Sequence, residues 1–229
     1  MATICYLPSS GSAPVSPTPA GADWTLHINT VSRPLEFTRG ETVLTTLAYN
    51  PDAADHLVTG RSMIAQFVSQ ILPPQVVAAQ QVLLGSRALE NAAGNNLSLA
   101  WKVYAVSVDG TTNLGNIVAI RTEATEFGTS IAGACYVILS TATTLNVPWR
   151  LVLEVGVGTI ATPVTPGGHN ASIAFGSPLP TGAGNLPQNT DTTATTPVLI
   201  FSNDILTVGA GPISIESPVI IPRVRGVGY

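Results

Sequence analysis

The chain has 229 residues, of which 45% are hydrophobic and only 10% charged, with 9 basic and 13 acidic side chains and a mean hydropathy of +0.35. An average domain is about 25% charged, so this hydrophobic content excludes simple disorder. The net charge of −4 and a single lysine, Lys102, leave no basic patch to neutralise a run of phosphates, which argues against a nucleic-acid partner.

With so few charges, Thr, Ser, Asn, Gln and Ala must cover the surface, a composition that suits a surface buried against neighbouring subunits. The length fits one large domain, and a chain of this mass buries roughly 70% of its unfolded surface without metal or disulfide staples. The first residues, Met1 to Pro8, lack the basic region and apolar core of a secretory signal, so the chain reads as made in the cytoplasm. In that compartment Cys5 and Cys135 are expected as buried free thiols, although they could pair if their strands were neighbours.

In chain order, Ala2–Leu7 reads as a strand and Pro8–Ala22 as a low-complexity arm of Pro, Ser and Ala. Trp24–Asn29 is a second strand, and Asn50-Pro51-Asp52 a turn. Ser62–Leu72 carries two patterns: it reads as a strand, yet Met63, Phe67 and Ile71 also satisfy a helical period. Its continuation to Ser86 is broken by Pro73-Pro74 and several glutamines, so it is no membrane span. Val76–Leu84 is read as one further strand, with the same helical alternative over Gln75–Leu84, a run rich in Ala and Gln.

The clearest alternation runs Leu97–Tyr104, with large apolar residues at every second position and Lys102 pointing the other way, and it ends at the turn Asp109-Gly110. Ile117–Arg121 and Ala134–Leu139 follow. Trp149–Val157 alternates as cleanly, with Arg150 and Glu154 on its polar face. Ser172–Phe175, Val198–Phe201 and Ile213–Ile220 complete the strands, and a Pro/Gly/Thr-rich loop occupies 177–197. Short strands bounded by Gly, Pro, Asn and Asp predict an all-β, antiparallel, jelly-roll-like sandwich spanning 1–229 as one domain, with Trp101 and Trp149 inside. The arms Pro8–Ala22 and 218–229 are expected to lie on neighbouring chains, since proline-rich segments lose little entropy on docking.

No catalytic, cofactor-binding or metal-binding constellation is predicted. His27, His56 and His169 are scattered, with no Cys or second His at ligand spacing. His56 has no nucleophile elbow to serve, because Gly60-Arg61-Ser62 is not one. Glu123 and Glu126 lie on opposite faces of an extended segment, and sequence does not bring Glu90 or Glu154 together with them for glycoside chemistry. Asp109–Asn113 reads as a tight turn and not a calcium loop. The sequons at Asn96 and Asn170 are read as structural. Trp24, Trp101 and Trp149 suit core packing, with an exposed indole as a sugar platform the alternative.

Several stretches together resemble virion structural proteins of tailed bacteriophages: Trp24 followed by Arg33-Pro34-Leu35, Gln66-Phe67-Val68-Ser69 with Pro73-Pro74, Asn96–Val108 ending at Asp109-Gly110, Trp149–Gly156, and Ala174-Phe175-Gly176. The resemblance spans roughly residues 2–205 and leaves the tail Pro218–Tyr229 outside. It implies a β-sandwich on the particle, either a head decoration (cement) protein or a tail or fibre component, and it carries over no functional site. The expected function is therefore non-enzymatic: a homo-oligomeric capsid decoration subunit that binds the major capsid protein or other virion proteins, with no cofactor, nucleic acid or membrane. A tail-associated carbohydrate- or receptor-binding module is the alternative, and a hydrolase of unseen constellation a third.

Overall fold

The computed structural model describes residues 2–29, 31–38, 44–49, 60–91, 95–161, 170–176 and 197–205. Among them lie β1 (Thr3–Tyr6), β2 (His27–Ile28), β3 (Ser32–Leu35), β4 (Thr45–Tyr49), β5 (Arg61–Leu72), β6 (Gln75–Val77), β7 (Gln81–Glu90), β8 (Leu97–Ser107), β9 (Asn113–Glu126), β10 (Ala132–Leu139), β11 (Thr143–Leu145), β12 (Trp149–Thr159), β13 (Ala171–Phe175) and β14 (Val198–Phe201). The fold is an all-β sandwich, as the alternating runs predict. Among the described residues no helix is long and apolar enough to cross a membrane.

One sheet is centred on β7, with β10 on one side and, on the other, β14 leading to β1 and β13 leading to β4. The second runs β9-β8-β12-β5. The expected antiparallel pairing holds for most of it, but β2 and β3 add to β5 in parallel. A small ribbon of β6 and β11 closes one end.

The core lies between the sheets. Trp101 and Trp149 are both fully buried there, as expected, and Phe67 of β5 meets Phe175 of β13 with ring centroids 4.9 Å apart. The helical period in Ser62–Leu72 does not produce a helix. Residues 62–69 are buried continuously, because β5 is covered on both faces, and a doubly buried strand reads as an unbroken apolar run. The same cover corrects the expectation of half-buried strands at Leu97–Tyr104 and Trp149–Val157: β8 and β12 are buried on both faces.

What covers the outer face is the segment predicted to dock elsewhere. Pro8–Ala22 lies across its own second sheet, where Ala13 and Val15 pack on Val68, Tyr104, Val106 and Val152. The carbonyl of buried Pro17 accepts a hydrogen bond from Gln66 at 3.1 Å. The arm's few apolar groups thus find an apolar strip on the chain itself, and the expected placement on a neighbour is corrected for this arm. The arm 218–229, the strand Ile213–Ile220 and the loop 177–197 apart from Pro197 lie outside the described residues.

Two further expectations are corrected. Val76–Leu84 is two strands, β6 and β7, parted at Gln80. Its backbone N–H donates to Ser140 Oγ (3.0 Å) and its side-chain oxygen accepts from Asn203 N–H (2.6 Å), pinning the corner where the chain changes sheets. Trp24–Asn29 forms a strand only at His27–Ile28, because Trp24 turns inward under the arm. Strands β3, β4 and β11 were not anticipated; β3 contains Pro34, which parallel pairing at a sheet margin tolerates.

Candidate functional site

The densest polar cluster sits on the outer face of the second sheet, beneath the arm. Antiparallel register places Glu154 of β12 opposite Lys102 of β8 and Gln66 of β5. Glu154 is fully buried, and its carboxylate accepts from Trp24 Nε1 (2.6 Å), Tyr104 OH (2.6 Å) and Gln66 Nε2 (3.0 Å). Lys102 donates to Asp23 at 2.6 Å and lies 4.6 Å from the centroid of the Tyr104 ring. Burial, with the Glu154 charge beside it, drives the Tyr104 phenol well above its ordinary pKa, so the hydroxyl stays a donor. Each member is satisfied by another, and the cluster clamps Asp23 and Trp24, where the arm ends, onto β8 and β12.

Arg150 follows the same logic. Its guanidinium donates to the Val108 carbonyl (2.7 Å) and the Ser69 carbonyl (3.0 Å), and burial lowers its pKa. Arg150 thus ties three strand ends together. Spaces of about 350 Å³ and 120 Å³ flank Pro17 and Thr18 of the arm, and a groove of about 870 Å³ opens between Pro14, Pro34, Phe37 and Ile71.

The carboxylates considered for glycoside chemistry are dispersed. Glu123 is buried, accepts from Trp101 Nε1 (2.6 Å) and pairs with Arg121 (2.8 Å), while Glu126 is exposed beyond an irregularity in β9, where residues 124–126 are all exposed. The structure brings within electrostatic reach a pair that the sequence left apart: Glu90, almost fully buried at the end of β7, accepts from Leu97 N–H at 3.3 Å and feels the charge of Glu126. Desolvation, reinforced by Glu126, pushes the Glu90 carboxyl up to about 7.

The remaining candidates resolve as local structure. Asp109 caps its turn by accepting from Ser107 and Thr111, bonds that hold its carboxyl below the ordinary range. Asn96 takes a left-handed φ of 54° at the entrance to β8. All three indoles are buried, and Trp149 Nε1 donates to the Pro73 carbonyl (2.8 Å), so no tryptophan offers an exposed sugar platform. His27 lies in β2; His56 and His169 lie outside the described residues. Among the described residues no group of three or more His, Cys, Asp or Glu could hold a metal ion.

Cys5 and Cys135 are not joined. They sit on β1 and β10, separated by β14 and β7, so three strand spacings put them about 14 Å apart, beyond disulfide reach. Cys5 is fully buried, as expected, and Cys135 is only half-buried. Sequence reasoning missed the Glu154 clamp, although a Glu and a Lys within apolar strands of a charge-poor chain were the signal.

No protein-family model matches the chain, and no curated protein does. Similar solved structures include the VP2 subviral particle of infectious bursal disease virus, at 14% identity over 70% of this chain and 37% of that one, with a TM-score of 0.23. A viral particle of the same virus gives 15% identity over 73% and 36%, with a TM-score of 0.25. A CocE/NonD family hydrolase from Staphylococcus aureus gives 10% identity over 77% and 33%, with a TM-score of 0.26. The chain spans about a third of the length of these structures.

Proposed function

We propose that the chain is a structural virion subunit without an active site, which decorates a bacteriophage head and stabilises the shell through contacts with the capsid protein and with its own copies. The observation that carries this reading is where its scarce charge goes. In a chain only 10% charged, Glu90, Lys102, Glu123, Arg150 and Glu154 are all buried as internal ties. Among the described residues nine of the fourteen charged side chains are left outside the core, and only Asp109, Glu126 and Asp204 of these are exposed; a surface this poor in charge suits a protein that spends its working life in contact.

Among the described residues the Glu154, Lys102, Glu123 and Arg150 groups are each tied to framework partners, which supports a structural role for them. Binding would draw on apolar burial at about 25 cal/mol per Å², repeated over many copies. The resemblance to tailed-phage structural proteins points the same way.

The test is to compare complete particles with particles lacking the protein. Both should assemble, and those lacking it should lose their genome at lower temperature or under milder osmotic shock. Normal particle stability with failed adsorption to host cells would overturn this reading in favour of receptor binding.

A further inference from the structure

Edge strands present unpaired backbone groups that invite another strand, and folded proteins blunt them with charge, proline, bulges, shortness or cover. Most edges here are blunted in these ways. β9 carries Arg121, Glu123 and Glu126 and several register shifts; β3 carries Arg33 and Pro34; β4 has five residues; and β1 is bridged by Glu36 through paired backbone bonds of 2.7 and 3.2 Å.

Among the described residues, none of these devices is found at β10. Its eight residues, Ala132-Gly133-Ala134-Cys135-Tyr136-Val137-Ile138-Leu139, contain no charge and no proline and pair with β7 from end to end without a shift, and no described strand pairs with its other edge. Tyr136 and Ile138 pack against the core, so the alternate residues, Val137 and Leu139 among them, face outward; Val137 is 37% and Leu139 68% exposed.

The order of side-chain sizes specifies the partner. The first half of β10 is small and the second half large. A two-fold axis normal to the sheet keeps faces matched, so each residue must meet one of the same face. Centring the axis on Cys135 sets Ala132 against Ile138, Gly133 against Val137 and Ala134 against Tyr136 of a second copy. Every one of these pairs joins a small residue to a large one, and no like charges meet. A heterologous partner would have no reason to find this sequence complementary to itself.

We propose that β10 pairs antiparallel with β10 of a second copy of this chain about a two-fold axis at Cys135, fusing two β7-centred sheets into one. The pairing is independent of any virion role.

It places the two Cys135 residues directly opposite, with Cα atoms about 4.5–5.5 Å apart, inside the range a disulfide spans. The test uses the full chain. Sedimentation without oxidant should give twice 23.6 kDa. Added copper-phenanthroline, which takes up the two electrons as the thiols lose their protons, should trap that dimer covalently. Cys5→Ser should leave the trapping intact and Cys135→Ser should abolish it.

Val137→Lys, an outward-facing change that spares the core, should sediment at 23.6 kDa and lose most of the trapping, while keeping the wild-type circular dichroism spectrum. Leu139→Lys, just outside the paired span, is the second variant if the first fails to fold, and should weaken the dimer by at least tenfold in Kd. A monomeric wild type, or a folded Val137→Lys that dimerises and cross-links as the wild type does, would overturn the pairing.

Discussion

Replacing Glu154 by Leu should loosen the N-terminal arm and destabilise the whole sandwich. The carboxylate is fully buried and receives three donors, from Trp24, Tyr104 and Gln66. Leucine fills similar space but accepts nothing. The Trp24 N–H and Tyr104 O–H would then be buried without partners, each costing about 1–3 kcal/mol, whereas Gln66 retains the Pro17 carbonyl. Together the two cost about 2–6 kcal/mol, a range that spans the usual cost of breaking a buried charged network. For a chain of this size that is a fall in Tm of roughly 4–24 °C. Glu154→Gln keeps one acceptor and should cost less, about 1–2 kcal/mol. Guanidinium unfolding followed by tryptophan emission measures both, and limited proteolysis within Pro8–Ala22 reports release of the arm. A Glu154→Leu protein within about 0.5 kcal/mol of wild type, its arm still protected, would refute the clamp, since neutral replacement by a hydrophobic residue is what a merely tolerated buried ion would show.

Other positions give independent checks. A Cβ at Gly156 would stand 2.0 Å from the Ser62 carbonyl oxygen and 2.8 Å from Met63 Cα, so Gly156→Ala should cost about 3 kcal/mol or more, whereas Gly128→Ala, with nothing nearer than 3.8 Å, should be near neutral; thermal melts of both decide. Glu90 holds its proton more tightly when folded, so its contribution to stability is full at low pH and is lost as pH rises from about 4.5 to about 7. Melts across that window should show the loss, on the order of 1–2 kcal/mol after solvent screening, and Glu90→Gln should flatten it. Cys5 is fully buried and its thiol pKa is raised by desolvation, so iodoacetamide should leave it unmodified until unfolding, as peptide mass mapping would show.

The sequence exposed the parts of this fold that depend on one strand at a time. Alternation in Leu97–Tyr104 and Trp149–Val157 located β8 and β12 and the side of each that faces the other sheet, because the period is local, although both faces proved to be buried. What it hid is what depends on cover from elsewhere. Ser62–Leu72 looked ambiguous because both its faces are buried, and a strand with no polar face has no period to read. Thr45–Tyr49 offers only Leu47 and Tyr49 at alternate positions, too short a run to read as a strand, and owes its pairing to β13. Gln80 ends one strand and starts another through bonds to Ser140 and Asn203, residues 60 and 123 positions away.

The arm shows most clearly why the site was harder to see than the fold. Pro8–Ala22 has too little apolar mass to order itself, and that much was correct; the inference that a neighbour must hold it failed because β8 and β12 were credited with a solvent face. Lys102 and Glu154 suggested water, since a charge on a strand ordinarily marks the exposed side. In this chain they mark the opposite: Glu154 is the acceptor for Trp24, and Lys102 the partner of Asp23, at the very residues where the arm ends. A charge within an apolar strand of a charge-poor protein is expensive to retain unless something pairs with it. Such a residue predicts a polar partner arriving from distant sequence, and in a chain with one lysine the search for that partner is short.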